Sequence, residues 1–274
     1  MRIMPSSFVI FTDLDGTLLD YGSYSFSAAL PSLRIIESRN IPLVICTSKT
    51  RAEIESYRRL LGNREPFISE NGGGIFIPEG YFPFDFEYDK RVDGYHVIEI
   101  GTPHGILVEA LESIKRDTGV EVRGLSGMTI EEISDVSGLT REMAELAKVR
   151  EYDEPFLVYG GKEEIHRIKE EIAQRGLNHI EGGIFHHITG NNDKGKAVGF
   201  LLGLFKRGSP GLRAIGIGDS PNDIPMLDVV DIPVLVQRPG GGYDKRIKHD
   251  NLVLADGIGP EGWNRAVLDL CKRP

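Results

Sequence analysis

Apolar positions along this chain follow two rhythms that take turns. Short unbroken runs, Phe8-Val9-Ile10-Phe11 in FVIFT (8–12) and Leu43-Val44-Ile45-Cys46 in PLVICTS, read as strands buried on both faces. The segments SAALPSLRIIESRN and TRAEIESYRRLLGN read as helices. This alternation predicts a parallel sheet covered by helices on both faces. It returns near the C-terminus as helical KGKAVGFLLGLFKR, strand RAIGIGD, helical NDIPMLDVV and strand IPVLVQ.

The middle of the chain breaks the pattern. GGIFIPEGYFPF, rich in Gly, Pro and aromatics, is followed by GYHVIEIG, a helix, VEVRGL, more helices and PFLVYGG. The helix KEEIHRIKEEIAQRG then places Ile165, Ile168 and Ile172 on one face. Residues 85–187 are expected to form an inserted α/β domain, with 1–84 and 188–274 closing into one core. The predicted class is α/β: a doubly wound, Rossmann-like parallel-sheet core carrying an α/β insertion.

Ligands of open parallel sheets collect at the carboxyl ends of the strands. The first strand ends in Asp13 and Asp15, and the second in Thr47-Ser48-Lys49. The strand AIGIGD ends in Asp219, with Asn222 and Asp223 just beyond, and the helix before it opens with Lys194. Two like charges about 4 Å apart repel by roughly 4 kcal/mol at an effective dielectric near 20. Four converging acids therefore call for a cation, and a hard divalent ion, Mg²⁺, matches carboxylate oxygens. Lys194 adds positive charge, and an anion bridging metal and lysine, such as a phosphate, completes the set.

Each motif alone has an ordinary explanation: Asp15-Gly16 as turn chemistry, GDSPND as a loop before a helix. What argues for a site is that both follow strands, with Thr47 and Lys194 in order between them. GNNDKGKA (190–197) matches GxxxxGK, but Ala197 stands where a P-loop needs Ser or Thr, and Asp193 would repel phosphates. PGGGYD (239–244) reads as a flexible loop. Phospho-accepting receiver domains share acids, a hydroxyl and a lysine, but are under half this length and lack the insertion.

Composition narrows the partners. A formal charge of −9 offers no basic excess for nucleic acid or an anionic membrane. No run approaches the roughly 18 to 20 apolar residues of a membrane helix. Two cysteines make neither a disulfide framework nor a zinc spacing, and Cys46 beside Thr47 reads as a small buried apolar residue. The short apolar run before Asp13 is not that of a signal peptide, so a cytoplasmic, reduced setting is expected. Nothing in the pattern fixes an oligomeric state.

With DLDGTL, Thr47, Lys194 and GDSPND in this order, the chain resembles the haloacid dehalogenase superfamily of phosphotransferases, and the position of the insertion resembles the α/β cap of its sugar-phosphatase branch. A narrower resemblance, carried by TSKTRAEIESYRRLL, PFISENGGGIFIPEGYFPF and GNNDKGKA, is to the mannosyl-3-phosphoglycerate phosphatase family. The resemblance implies a phosphorylated glycoside as substrate and Asp13 as a nucleophile that becomes an aspartyl phosphate. It makes Asp15 the general acid and base. Mg²⁺ would lie on Asp13, the Asp15 carbonyl and Asp219, with Asp223 binding directly or in support. Thr47 and the Ser48 amide would hold phosphoryl oxygens, and Lys194 would offset their charge.

Asn71 and Gly72 are candidates for a donor-rich wall facing the substrate, and Asn222 for orienting its loop. Lys49 and Arg51 either hold a glycerate carboxylate or pair with Glu53 or Glu55 at the start of a helix. His186 and His187 point to opposite faces of a strand, so at most one lines a pocket. Hinges are expected near 84–94 and 186–191. Other readings stay open: a phosphatase of glucosyl-3-phosphoglycerate, sucrose phosphate or a hexose phosphate, a phosphomutase, or a non-catalytic sugar-phosphate sensor.

Overall fold

The computed structural model describes residues 7–182 and 184–272; the expected core residues 1–6 and 273–274 and residue 183 of the insertion lie outside it. The first stretch of chain forms β1 (Phe8–Thr12), α1 (Leu30–Ser38), β2 (Leu43–Cys46), α2 (Arg51–Leu61), β3 (Phe67–Ser69), β4 (Gly74–Pro78), β5 (Lys90–Val92) and β6 (Tyr95–Glu99). Next come α3 (His104–Thr118), β7 (Glu121–Gly124), α4 (Ile130–Ser137), α5 (Arg141–Ala147), β8 (Asp153–Tyr159), α6 (Lys162–Gln174), β9 (Asn178–Gly182) and β10 (Phe185–Thr189). The chain closes with α7 (Lys194–Gly208), β11 (Arg213–Gly218), α8 (Ile224–Val229), β12 (Ile232–Gln237), β13 (Val253–Ile258) and α9 (Pro260–Lys272).

Two sheets result. The larger has nine strands in the order β13-β12-β11-β1-β2-β3-β4-β6-β5, parallel from β13 to β3 and antiparallel beyond. The smaller, β7-β8-β10-β9, is antiparallel throughout. Alternate residues of the central strands feed opposite cores, as double winding requires. Ile10 and Ile45 pack with Ile36 of α1, Ile54 of α2 and Trp263 of α9. Val9, Phe11 and Val44 pack with Val198 and Leu201 of α7 and Met226 of α8. The expected doubly wound core with an α/β insertion is thus the observed architecture.

The expected insertion boundaries need correction. Residues 90–99 extend the larger sheet, since β6 pairs with β4 and β5 with β6. Asp93-Gly94 turns that hairpin with both residues at positive φ, 48° and 83°, the dipeptide that such a two-residue turn favours. The unpaired edge of β4 supplies the docking surface that makes so polar a hairpin part of the core. At the other end β10 runs to Thr189, so the smaller sheet passes the expected limit of 187. β13 and α9 extend the core past IPVLVQ, the last strand that the periodicity marks.

Helices α3 and α6 cover one face of the smaller sheet, where Leu107, Leu111, Ile168 and Ile172 meet Phe156 and Ile188. Its other face looks toward the carboxyl ends of β1 and β2 across a cavity. Helix α2 begins at that edge with a capping box: Thr50 accepts the Glu53 N–H and Glu53 accepts that of Thr50. Among the described residues, no helix is long and apolar enough to cross a membrane.

Candidate active site

Asp13 leaves β1 with its ladder intact, its N–H donating to the Ile217 carbonyl at 3.0 Å. Its carbonyl accepts from the Thr12 hydroxyl at 2.8 Å, and that hydroxyl accepts from the indole N–H of Trp263, the chain's single tryptophan, at 3.0 Å. The last helix thereby steadies the end of the first strand. Gly16 then turns the chain at φ 75°, where a Cβ would also lie 3.2 Å from an Asp219 oxygen. Thr17 donates to Asp219 at 3.4 Å.

Lys194 opens α7, whose N-cap is Asp193, so the residue that spoils a P-loop reading has a capping function. The Lys194 Nζ lies 2.7 Å from Asp13 Oδ1 and 2.6 Å from Asp223 Oδ1, with the lysine only 1% exposed. The other Asp223 oxygen accepts the N–H groups of Asp219 at 3.0 Å and Ser220 at 3.1 Å, fixing the turn that presents Asp219. Acceptor atoms of Asp13, Asp219 and Asp223 all fall within 4.8 Å of one another.

Two of these carboxylates, Asp13 and Asp223, share one buried ammonium, and the third, Asp219, has Arg238 at 3.6 Å at the rim. Burial pushes the Asp13 carboxyl up to about 7 against the pull of Lys194, with Asp223 and Asp15 adding to the rise. Burial, Asp223 and Asp13 push Asp219 up to about 8. Lys194 stays charged: burial opposes its charge, but Asp13 and Asp223 more than offset that. A cluster of hard oxygen donors with surplus negative charge is the donor set Mg²⁺ takes, and these residues fit that ion.

Asp15 lies apart from this cluster. One oxygen is 2.9 Å from Lys49 Nζ; the other has no hydrogen-bond partner among the described residues, and Asp15 lines the cavity. The cavity measures about 300 Å³ and is bounded by Asp13, Asp15, Asp219 and Ser48 on the core side. Thr47 is fully buried, its hydroxyl accepting from the Lys49 backbone N–H at 3.5 Å.

The insertion supplies the opposite wall. His187 faces the cavity, its Nδ1 2.9 and 3.0 Å from the two Asp153 oxygens. Asn71 donates to Asp153 at 3.3 Å and accepts from Asn222 at 3.2 Å, linking the loop after β11 to the insertion. Arg150, also on the wall, donates to the carbonyls of Ser48 at 2.8 Å and Ala147 at 2.9 Å.

Several expected site residues are therefore placed differently. Asn71 is 1% exposed with both ends of its amide engaged, so it ties elements together rather than facing the cavity. Gly72, at φ 87°, packs so closely on α7 that a Cβ would sit 2.1 Å from the Asp193 carbonyl oxygen. Arg51 does not reach the cavity: it pairs with Asp93 at 2.8 Å, Glu151 at 3.2 Å and Glu55 at 3.5 Å. Lys49 both lines the cavity and pairs with Glu53 at 3.5 Å, combining the two alternatives held open for it.

Thr17, Trp263, Arg150, Asp153 and Arg238 carried no expectation. Arg238 was within reach of the strand-end rule, since it directly follows β12. Of the two adjacent histidines, strand alternation turns His187 to the cavity and His186 away.

Residues 10–91 and 134–239 match the model of a haloacid dehalogenase-like hydrolase family. A glucosyl-3-phosphoglycerate/mannosyl-3-phosphoglycerate phosphatase of Methanococcoides burtonii is 45% identical over 262 residues, 96% of either chain. A mannosyl-3-phosphoglycerate phosphatase of Pyrococcus furiosus is 38% identical over 228 residues, 83% of this chain and 90% of the other. A Thermoplasma acidophilum crystal structure shares the fold at 19% identity and a TM-score of 0.68, covering 96% of this chain and 97% of its own. The chain belongs to the haloacid dehalogenase-like hydrolases, as one of their phosphatases.

Proposed function

We propose that this phosphatase removes the phosphate from 3-phosphoglycerate glycosides, mannosyl-3-phosphoglycerate and its glucosyl counterpart, with Mg²⁺ as its metal. The observation that carries the substrate class is the cavity itself. It brings Lys49, Arg150 and Arg238 around a floor of reactive carboxylates. A substrate with a carboxylate beside its phosphoester uses cationic walls that a neutral hexose does not need. The names of the relatives point the same way.

In this reading Asp13 attacks phosphorus while the P–O bond to the glycerate oxygen breaks, giving an aspartyl phosphate. Asp15 gives its proton to the departing oxygen. It then takes one from the water that attacks the aspartyl phosphate, freeing inorganic phosphate and restoring Asp13. The Asp15 oxygen that has no hydrogen-bond partner among the described residues leaves the group able to do this. Against the effect of burial, Lys194 favours the ionised form of Asp13 and aligns it. Thr47 and the Ser48 amide would position the phosphoryl group, and Asn222, through Asn71, the loop carrying Asp219. Asp13, the Asp15 carbonyl and Asp219 would hold Mg²⁺, supported by Asp223, and the ion would neutralise phosphoryl charge.

The insertion serves as a cap that limits water around the phosphoryl group and opens for product release. Release of phosphate should be measured for mannosyl- and glucosyl-3-phosphoglycerate, sucrose phosphate, hexose phosphates and 3-phosphoglycerate, with and without Mg²⁺. Selective turnover of the two glycosylated glycerates is expected. Broad turnover of hexose phosphates without that preference would overturn the substrate assignment and leave the phosphatase chemistry standing.

A further inference from the structure

A second group of metal-type donors lies on the face of the smaller sheet turned away from the cavity. Glu181 stands directly opposite His186 in the β9–β10 ladder, and His179, two residues before Glu181, shares that face. His179 Nε2 and His186 Nδ1 are 2.9 Å apart, and His179, Glu181 and His186 each offer one ligand atom within 4.8 Å of the other two. The rings sit beside Phe156, at centroid distances of 6.3 and 5.7 Å. We propose that His179, Glu181 and His186 form a binding site for a borderline-soft transition-metal dication such as Zn²⁺, separate from the carboxylate cluster at the catalytic edge.

Two imidazoles and one carboxylate are donors Zn²⁺ takes, with water as the fourth ligand. Bonds of about 2.0–2.1 Å in a tetrahedron put two nitrogens roughly 3.3 Å apart, so the rings need to separate by only a few tenths of an ångström. Burial also favours the neutral imidazole, the form that binds metal. Burial and then His186 hold His179 down at about 4, and burial lowers His186. The ring donating across the 2.9 Å contact changes tautomer and frees its lone pair, with no net proton lost.

The charged groups facing the site are Lys169 of α6, 2.5 Å from Glu181, and Arg246, 3.7 Å from it. Both are exposed or nearly so, and the ion would replace Lys169 as the counter-charge. Mg²⁺, which prefers oxygen ligands and keeps its waters, does not compete for imidazoles. The site lies just before the end of the hairpin, where Gly182, Ile184 and Phe185 line the cavity. A bound ion would therefore clamp two strands that carry part of the cavity wall.

The test uses the full chain, stripped with chelator and returned to excess Mg²⁺ so that the carboxylate cluster is saturated. Zn²⁺ is titrated by equilibrium dialysis, and Co²⁺ by its visible absorption and its broadening of histidine ring NMR signals. One Zn²⁺ per chain should be retained, with at least a ten-fold loss of affinity in His179→Asn and in His186→Asn. Co²⁺ should broaden two imidazoles of the unsubstituted protein, a readout that does not depend on how the variants fold. The proposal is overturned if no Zn²⁺ is retained in excess Mg²⁺. It is equally overturned if both histidine variants bind with unchanged affinity, or if only Asp219→Asn abolishes binding.

Discussion

The two walls of the cavity are built on different principles. On the core side, Asp13, Asp219 and Asp223 follow parallel strands and Lys194 opens a helix; Asp223 holds the Asp219 turn locally, and Lys194 joins Asp13 to Asp223 across the strand ends. On the insertion side, Arg150, Asp153 and His187 come from a loop and two antiparallel strands. They are fixed by long-range bonds, His187 to Asp153 and Asp153 to Asn71. On the proposed reading, the first wall would handle a group common to every phosphoester, and the second would meet whatever the phosphate is attached to. Chemistry and selectivity should therefore be separable by substitution.

The largest effects should come from the core wall, and the loss of Asp13 should ignore the substrate. Asp13→Asn should lower kcat on the order of 10⁴-fold or more for a glycosylated phosphoglycerate and for a small aryl phosphate alike, as loss of a nucleophile does. Asp15→Asn should cost roughly 10²–10⁴-fold on the alkyl ester, but much less on p-nitrophenyl phosphate, whose leaving group needs no proton. Equal losses on both esters would deny Asp15 the role of general acid.

The insertion wall should behave in the opposite way. A hydrogen bond to a charged group contributes about 1.5–3 kcal/mol, so His187→Ala should reduce kcat/KM for the natural ester by roughly 10- to 150-fold, mainly through KM. Hydrolysis of p-nitrophenyl phosphate should stay within about two-fold. Asp153→Asn, which loosens the Nδ1 anchor, should shift KM in the same direction but less. A parallel drop with the aryl ester would show that His187 supports the fold instead of the substrate.

The same contrast explains what could be read in advance. The convergence of Asp13, Asp15, Lys194 and Asp219 on one edge was legible because a buried strand followed by acids, or a helix opened by lysine, is a local pattern. Arg150 and His187 were not, because their relation to Asp13 exists only once β8 and β10 fold over the core sheet. Asn71 and Gly72 misled for a related reason. A turn rich in donors reads as a binding wall, whereas here both residues are consumed by packing against α7 and the insertion. The hairpin of β5 and β6 was assigned to the insertion because nothing in its residues says which sheet edge it will extend.

A smaller effect concerns the charge stored in the core wall. Asp13 and Asp219 have folded pKa values raised to about 7 and about 8, above the unfolded carboxylate range. Between that range and those values the folded chain holds protons the unfolded chain has lost. Their contribution to stability is therefore full at acid pH and fades as pH rises through about 7 to 8. Mg²⁺ binds the ionised forms, so the rise in thermal midpoint it produces should grow between about pH 5 and about pH 8. A rise that is the same at every pH would mean the ion binds elsewhere.

The smallest effect is expected at Arg51, which tests where the boundary between the walls lies. It stands two residues after Lys49 and could serve a substrate carboxylate only by leaving three acidic partners, Asp93, Glu151 and Glu55. One of them, Asp93, is largely exposed, so this network sits in screened surroundings where such pairs contribute about 0–1 kcal/mol. Arg51→Gln should therefore leave kcat/KM for glycosylated phosphoglycerates within about two-fold and change the thermal midpoint by only a few degrees. Lys49→Gln removes the cation that touches both Asp15 and the cavity, and should cost at least ten-fold more. Should Arg51→Gln instead raise KM as Lys49→Gln does, the guanidinium must turn inward when substrate binds. The network with Glu151 would then be a latch on the insertion that substrate opens.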